Sequence, residues 1–206
     1  MKTEIKIEQH TQSAGSIRYS WLVAVLLTCT QISNQWNRFV IGSAYYYTST
    51  SPKYNMQEAI PALTSAKYGL VTGLIFNTPF SIMVLMTGTI AQRFNRKYLL
   101  GIASLLWSLS SYGMATTTSL SMVFTFRVVL GTLEAFNAPC CYSLIVDYFP
   151  ADRRTFANSV YATGGPIGAA VVSLSVIFVE LLGWRYTYVL VGSYGILIAI
   201  LVLLLV

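Results

Sequence analysis

After residue 18 the chain alternates long apolar runs with short polar breaks. The runs are Tyr19 to Tyr45, Tyr68 to Ala91, Tyr98 to Thr116, Ser119 to Ile145, Thr155 to Leu182 and Arg185 to Val206. Each meets the requirement of about 20 residues for a helix to cross about 30 Å of hydrocarbon. The pattern therefore predicts an all-α, polytopic membrane protein with six transmembrane helices. Residues 1–18 form a polar tail, and residues 19–206 form one helical bundle. The breaks are a polar loop from Tyr46 to Lys67 with Pro52 and Pro61, a basic hairpin from Gly88 to Lys97, Thr117-Thr118, a polar stretch from Asp147 to Arg154 with Pro150, and Gly183-Trp184. Pro79 is expected to interrupt the second span. A cleaved signal peptide competes for the first run. Its apolar part, Trp21 to Leu27, is followed by Thr28, Gln31, Ser33, Asn34, Gln35, Asn37 and Arg38, with no small-residue cleavage site. The first run is therefore read as a span whose outer half has a polar face.

Composition supports that reading. Of 206 residues, 55% are hydrophobic and 10% charged, with mean hydropathy +0.61. Soluble domains carry about 25% charged residues, so this chain lacks the material for a water-facing surface. Fourteen Tyr and four Trp suit two interfacial belts. The net charge of +6 does not imply nucleic acid, because the cations are scattered at the ends of the runs. They act instead as orientation signals. With the N-terminus in the cytoplasm, Lys2, Lys6, Arg18, Arg93, Arg96, Lys97, Arg153 and Arg154 face inward, against Lys53, Lys67 and Arg185 outside. Cys29, Cys140 and Cys141 make neither a disulfide framework nor a metal site. The single histidine, His10, lies in the tail. No catalytic constellation is present, and no cofactor or metal is expected.

Charge inside a span is the strongest chemical signal, since each such residue costs roughly 2.5–3.5 kcal/mol on insertion scales. The fourth span carries Arg127, Gly131 and Glu134. Arg127 and Glu134 share one helix face about 10.5 Å apart along the axis, too far for a direct pair. Arg38 in the first span is a candidate neighbour for Glu134, and Asn34 and Asn37 add hydrogen-bonding groups nearby. A glutamate between two arginines in a wet cavity can take up and release a proton; alternatively, the same groups pin the first span to the fourth. Gly164, Gly165 and Gly168 in the fifth span predict close helix packing, and Pro166 predicts a kink, with gating as the second option. Asp147 is a natural partner for Arg93 or Arg96 of the basic hairpin. Spans 1 and 4 each carry an arginine, and the turns after spans 2 and 5 each contain Gly and Arg. That is the pattern expected of a 3+3 inverted repeat.

Gly88-x-Ile-Ala-Gln-Arg93-Phe-Asn-Arg96-Lys97 resembles the major facilitator superfamily signature between helices 2 and 3, written G-x-L-A-D-R-x-G-R-K. The glycine, both arginines and the lysine match; the family's aspartate is Gln92 here and its second glycine is Asn95. Arg127-x-x-x-Gly131 is similar to the helix 4 motif, and Gly164-Gly-Pro-Ile-Gly168 to the helix 5 motif. Asn34-Gln-Trp-Asn37-Arg38-Phe39 with Arg127-x-x-x-Gly-x-x-Glu134-Ala135 resembles spinster-type lipid transporters and organic anion symporters, whose helix 1 aspartate is Asn37 here. The resemblance implies secondary, alternating-access transport of an organic anion or lipid-like solute, with Arg127 and Glu134 lining the central cavity. A drug:proton antiporter and a non-transporting six-helix scaffold are the alternatives. Implied partners are the lipid bilayer, a small-molecule solute and a coupling proton or ion. Members of the superfamily have twelve spans in two halves, so the chain is expected to correspond to an N-terminal half acting with a C-terminal six-helix half or a second copy.

Overall fold

A computed structural model describes residues 14–206; residues 1–13, with His10, lie outside the described part. The described residues are helical throughout, with no strand among them. The helices are α1 (Ala14–Tyr46), α2 (Met56–Ala59), α3 (Ser65–Thr72), α4 (Leu74–Arg93), α5 (Arg96–Ala115), α6 (Leu120–Glu134), α7 (Asn137–Tyr148), α8 (Ala151–Leu182) and α9 (Trp184–Leu205). Four are long and apolar enough to cross a membrane: Ser65–Ala91, joining α3 to α4; Leu120–Tyr148, joining α6 to α7; α8; and α9. The helices α1 and α5 have the length, but their buried polar residues lower their hydropathy.

The second span is interrupted at Gly73 rather than at Pro79, which α4 accommodates. Gly73 has φ −89° and ψ −96°, and a Cβ there would stand 2.8 Å from the Gly69 carbonyl oxygen. The bend needs a residue without a side chain. The Asn77 amide covers the exposed carbonyls, donating to Gly73 O at 2.9 Å and Thr72 O at 3.3 Å. Two of the polar breaks have local structure of their own. Asp147 to Arg154 is mostly helical, because Pro150 starts α8 and Asp152 sits in its first turn, where a carboxylate complements the helix dipole. Arg154 folds back onto the end of α7, donating to Phe149 O and Val146 O. The loop from Tyr46 to Lys67 is also partly ordered. Asn55 caps α2, and Met56, Ile60 and Leu63 are fully buried beneath it.

The helices pair as α1 with α8, α5 with α9, α4 with α6, and α9 with α1. Two apolar clusters close the ends of the bundle, one around Leu27, Trp107, Ile145 and Val202, the other around Ile41, Met56, Val123 and Trp184. Between them runs a buried polar band: Ser33, Asn34, Asn37, Ser104, Ser108, Ser111, Arg127 and Glu134. The outside is apolar, with Leu85, Leu181, Leu197 and Leu204 exposed. Such an inversion, apolar outside and polar within, requires hydrocarbon as the surrounding solvent. The molecule is an integral membrane protein.

Candidate solute site

Arg127 is 1% exposed on α6. It reaches this position because Gly131, one turn on, lets α6 lie against α4; a Cβ at Gly131 would stand 2.4 Å from the Phe76 carbonyl oxygen. Arg127 NH1 donates to the Arg38 carbonyl at 2.9 Å. Its Nε and NH2 are enclosed and make no hydrogen bond of normal geometry among the described residues, with the buried Tyr188 hydroxyl beside them. Arg38 is half-buried on α1. Its NH2 donates to Asn77 Oδ1 at 2.8 Å, and its guanidinium stacks 4.6 Å from the Phe76 ring centroid and 5.0 Å from that of Phe80. The two arginines share a cavity of about 280 Å³ with Phe39, Ile41, Tyr68, Thr72, Phe76 and Asn77. No carboxylate lines it. Two guanidinium groups without an acid are suited to an anion, and the hydroxyls of Tyr68 and Thr72 add polar contacts.

Glu134 is 2% exposed, and neither carboxylate oxygen has a hydrogen-bond partner among the described residues. Arg38 and Arg127 are the cations whose charge acts on it, and neither makes an ion pair with it. The reason is visible on the Arg38 side: two phenyl rings and Asn77 hold its guanidinium over α4. Asn37 donates to Ser33 O at 2.9 Å and accepts from the Ser111 hydroxyl. Asn34 is buried with an unpartnered Nδ2.

At the opposite end of the fold, Arg96 NH1 meets Asp147 Oδ2 at 2.6 Å. Arg93 is exposed and does not take part, while Lys97 lies 5.7 Å from the Tyr98 ring centroid. Asn95, standing where the signature has glycine, caps α5 by accepting from the Lys97 backbone N–H at 3.0 Å. Gly88 has open space where a Cβ would point. Gly164 and Gly168 lie against α1, where added Cβ atoms would meet Thr28 O at 2.8 Å and Gln35 Cβ at 2.7 Å; Gly165 would meet nothing nearer than 3.7 Å. Pro166 is contained within α8.

Sequence reasoning missed Asn77, Tyr68 and Thr72. Asn77 carries a signal, being a lone asparagine in an apolar run, whereas the other two look like interfacial residues until α3 tilts at Gly73.

Residues 23–206 match the family model of the Major Facilitator Superfamily. The chain is 25% identical over 155 residues to the "Probable sulfoacetate transporter SauU" of Cupriavidus necator, covering 72% of this chain and 36% of that protein. It is 23% identical over 184 residues to the D-galactonate transporter of Escherichia coli O6:H1, covering 89% of this chain and 40% of that one. Among solved structures, a bacterial homolog to the human lysosomal transporter Spinster, inward-facing and unoccupied, superposes with TM-score 0.77 at 25% identity. That match covers 91% of this chain and 43% of the other, so the chain spans less than half the length of these relatives. The fold, the helix order and the family match agree: this chain belongs to the Major Facilitator Superfamily.

Proposed function

We propose that the chain forms the substrate-binding half of a secondary transporter that carries a small organic anion by alternating access. The carrying observation is the 280 Å³ cavity lined by Arg38 and Arg127 and by no carboxylate. An anionic solute supplies the counter-charge that the cavity lacks. The relatives named for sulfoacetate and D-galactonate are consistent with it. In this reading α1, α3–α4, α5, α6–α7, α8 and α9 are six spans in a 3+3 inverted repeat, with the N-terminus cytoplasmic. Support comes from the helix contacts. Exchanging spans 1 with 4, 2 with 5 and 3 with 6 turns the α1–α8 pair into α6–α4, turns α9–α1 into α5–α6, and leaves α5–α9 unchanged; all these pairs are in contact. The solute is enclosed against a second six-helix unit, either a C-terminal half or a second copy.

Glu134 is the coupling group of this reading, because a buried carboxylate without a hydrogen-bond partner keeps its charge only while a cation attends it and otherwise takes up a proton and becomes neutral. In proteoliposomes, Glu134→Gln is expected to abolish net uptake of a labelled organic anion driven by a proton gradient while leaving exchange across the membrane. Unchanged gradient-driven uptake would remove Glu134 from the mechanism. Absence of uptake of any anion by the wild type would sink the transport reading itself.

The Arg96–Asp147 pair is the latch of this cycle. Its side chains are 34% and 48% exposed, so the pair is worth about 0–1 kcal/mol in stability. Asp147→Asn is therefore expected to leave the melting midpoint of the solubilised protein nearly unchanged while slowing turnover. A large stability loss with normal transport would assign the pair a structural role instead.

A further inference from the structure

A second polar cluster lies about two turns from Arg38 along α1. Asn137, at the start of α7, donates from Nδ2 to Gln31 Oε1 at 2.6 Å. Tyr161 of α8 donates from its hydroxyl to the same Oε1 at 2.9 Å. Asn137 Nδ2 also reaches Tyr161 Oη at 3.4 Å, and the Cys141 thiol donates to Asn137 Oδ1 at 3.4 Å. Asn137 and Tyr161 are each 2% exposed. Both donors take the same oxygen of Gln31, so its amide has one orientation. The opposite arrangement would set the Gln31 NH2 against the Asn137 NH2, whose amide oxygen takes the Cys141 thiol. Gly164 makes the arrangement possible, because a Cβ there would stand 2.8 Å from Gln31 Cβ.

The consequence lies on the other side of the amide. Gln31 is half-buried, and its Nε2 makes no hydrogen bond among the described residues and is not enclosed. Gln31, Gln35 and Arg38 recur at intervals of four and three, so they share one face of α1. All three are half-buried, and neither glutamine's Nε2 has a partner. This face is a line of donors running from the two-arginine cavity toward the fixed amide of Gln31.

We infer that Gln31, oriented by Asn137 and Tyr161, is a specificity-determining residue that donates to a hydroxyl or carbonyl oxygen at the far end of an anionic solute whose acid group is held by Arg38 and Arg127. The inference rests on the transport reading and narrows its substrate class to short polar-tailed acids, against lipid-like or aromatic ones. A fixed donor left without an acceptor disfavours an apolar tail, because closing the cavity over it strips water from the amide and returns nothing.

The test is ligand-induced thermal stabilisation of the purified protein, with D-galactonate as the polar-tailed probe and benzoate as the apolar-tailed one. Gln31→Ala and Tyr161→Phe are expected to weaken the apparent affinity for D-galactonate by about 5- to 10-fold and to leave that for benzoate within about 2-fold. Tyr161→Phe keeps the ring and the packing, so its loss reads the orienting hydroxyl alone. Equal losses for both probes, no loss for either, or a wild type stabilised by benzoate alone would each overturn the role of Gln31 and leave the transport reading standing. A wild type stabilised by neither probe would bring down the anion site and the inference with it.

Discussion

Arg127→Ala is expected to lower uptake of an anionic solute, measured well below saturation, by at least about 100-fold, because two charge-assisted hydrogen bonds at about 1.5–3 kcal/mol each leave with the side chain. The geometry argues for so large an effect. Arg127 lines the cavity, is held in place by the Arg38 carbonyl through NH1, and faces no carboxylate there. Arg127→Lys keeps the charge but presents a point rather than a fork, and the Arg38 carbonyl and the solute then compete for one ammonium. It is expected to stay at least about 10-fold below wild type. Both variants should be assayed beside their melting midpoints. Uptake within a few-fold of wild type by folded Arg127→Ala protein would show that the solute binds elsewhere.

The second large effect separates glycines that look alike in sequence. Gly131→Ala sets a methyl 2.4 Å from a backbone oxygen, and Gly164→Ala and Gly168→Ala meet α1 at 2.8 and 2.7 Å. Neither helix can yield by moving a side chain alone at Gly131 and Gly164, where the obstacle includes a backbone carbonyl. Overpacking of this kind costs about 1–3 kcal/mol per site, and pairing Gly131→Ala with Gly164→Ala is expected to leave little folded protein. Gly165→Ala, one residue from Gly164, meets nothing nearer than 3.7 Å, and is expected to be neutral or stabilising by up to about 1 kcal/mol through helix propensity. Gel filtration of the detergent-solubilised variants measures the contrast. Equal damage at Gly164 and Gly165 would refute the packing account.

The contrast also marks what the sequence could convey. Runs of apolar residues reveal helices because crossing hydrocarbon demands both length and composition, so the order of spans was legible. The arginines and Glu134 were legible because charge in that setting is costly and must have a use. Local backbone geometry was not. Pro79 is the stronger helix breaker by type, yet the bend lies at Gly73, where Asn77 caps the freed carbonyls and simultaneously holds Arg38. Glu134 makes no ion pair with Arg38 for the same reason: Phe76, Phe80 and Asn77 capture the Arg38 guanidinium, and aromatic residues in an apolar run carry no mark of that task. The polar stretch from Asp147 to Arg154 marked a break between spans because its charges are dense, and its inner structure follows from Asp152 and Arg154, the kind of residues that begin one helix and finish another.

Arg185 shows how the last helix finds its place. From the start of α9 its guanidinium donates to Ala115 O at 2.6 Å and Thr117 O at 2.8 Å, both on the turn between α5 and α6. Those carbonyls are presented together only after the turn has closed. The long apolar body of α9 suits the bilayer on its own account, with mean hydropathy 2.6, whereas the cation at its edge stacks on Trp184 and takes its hydrogen-bond acceptors from the earlier hairpin. In the folded bundle one arginine thus anchors the entry of the last helix to the turn of an earlier hairpin.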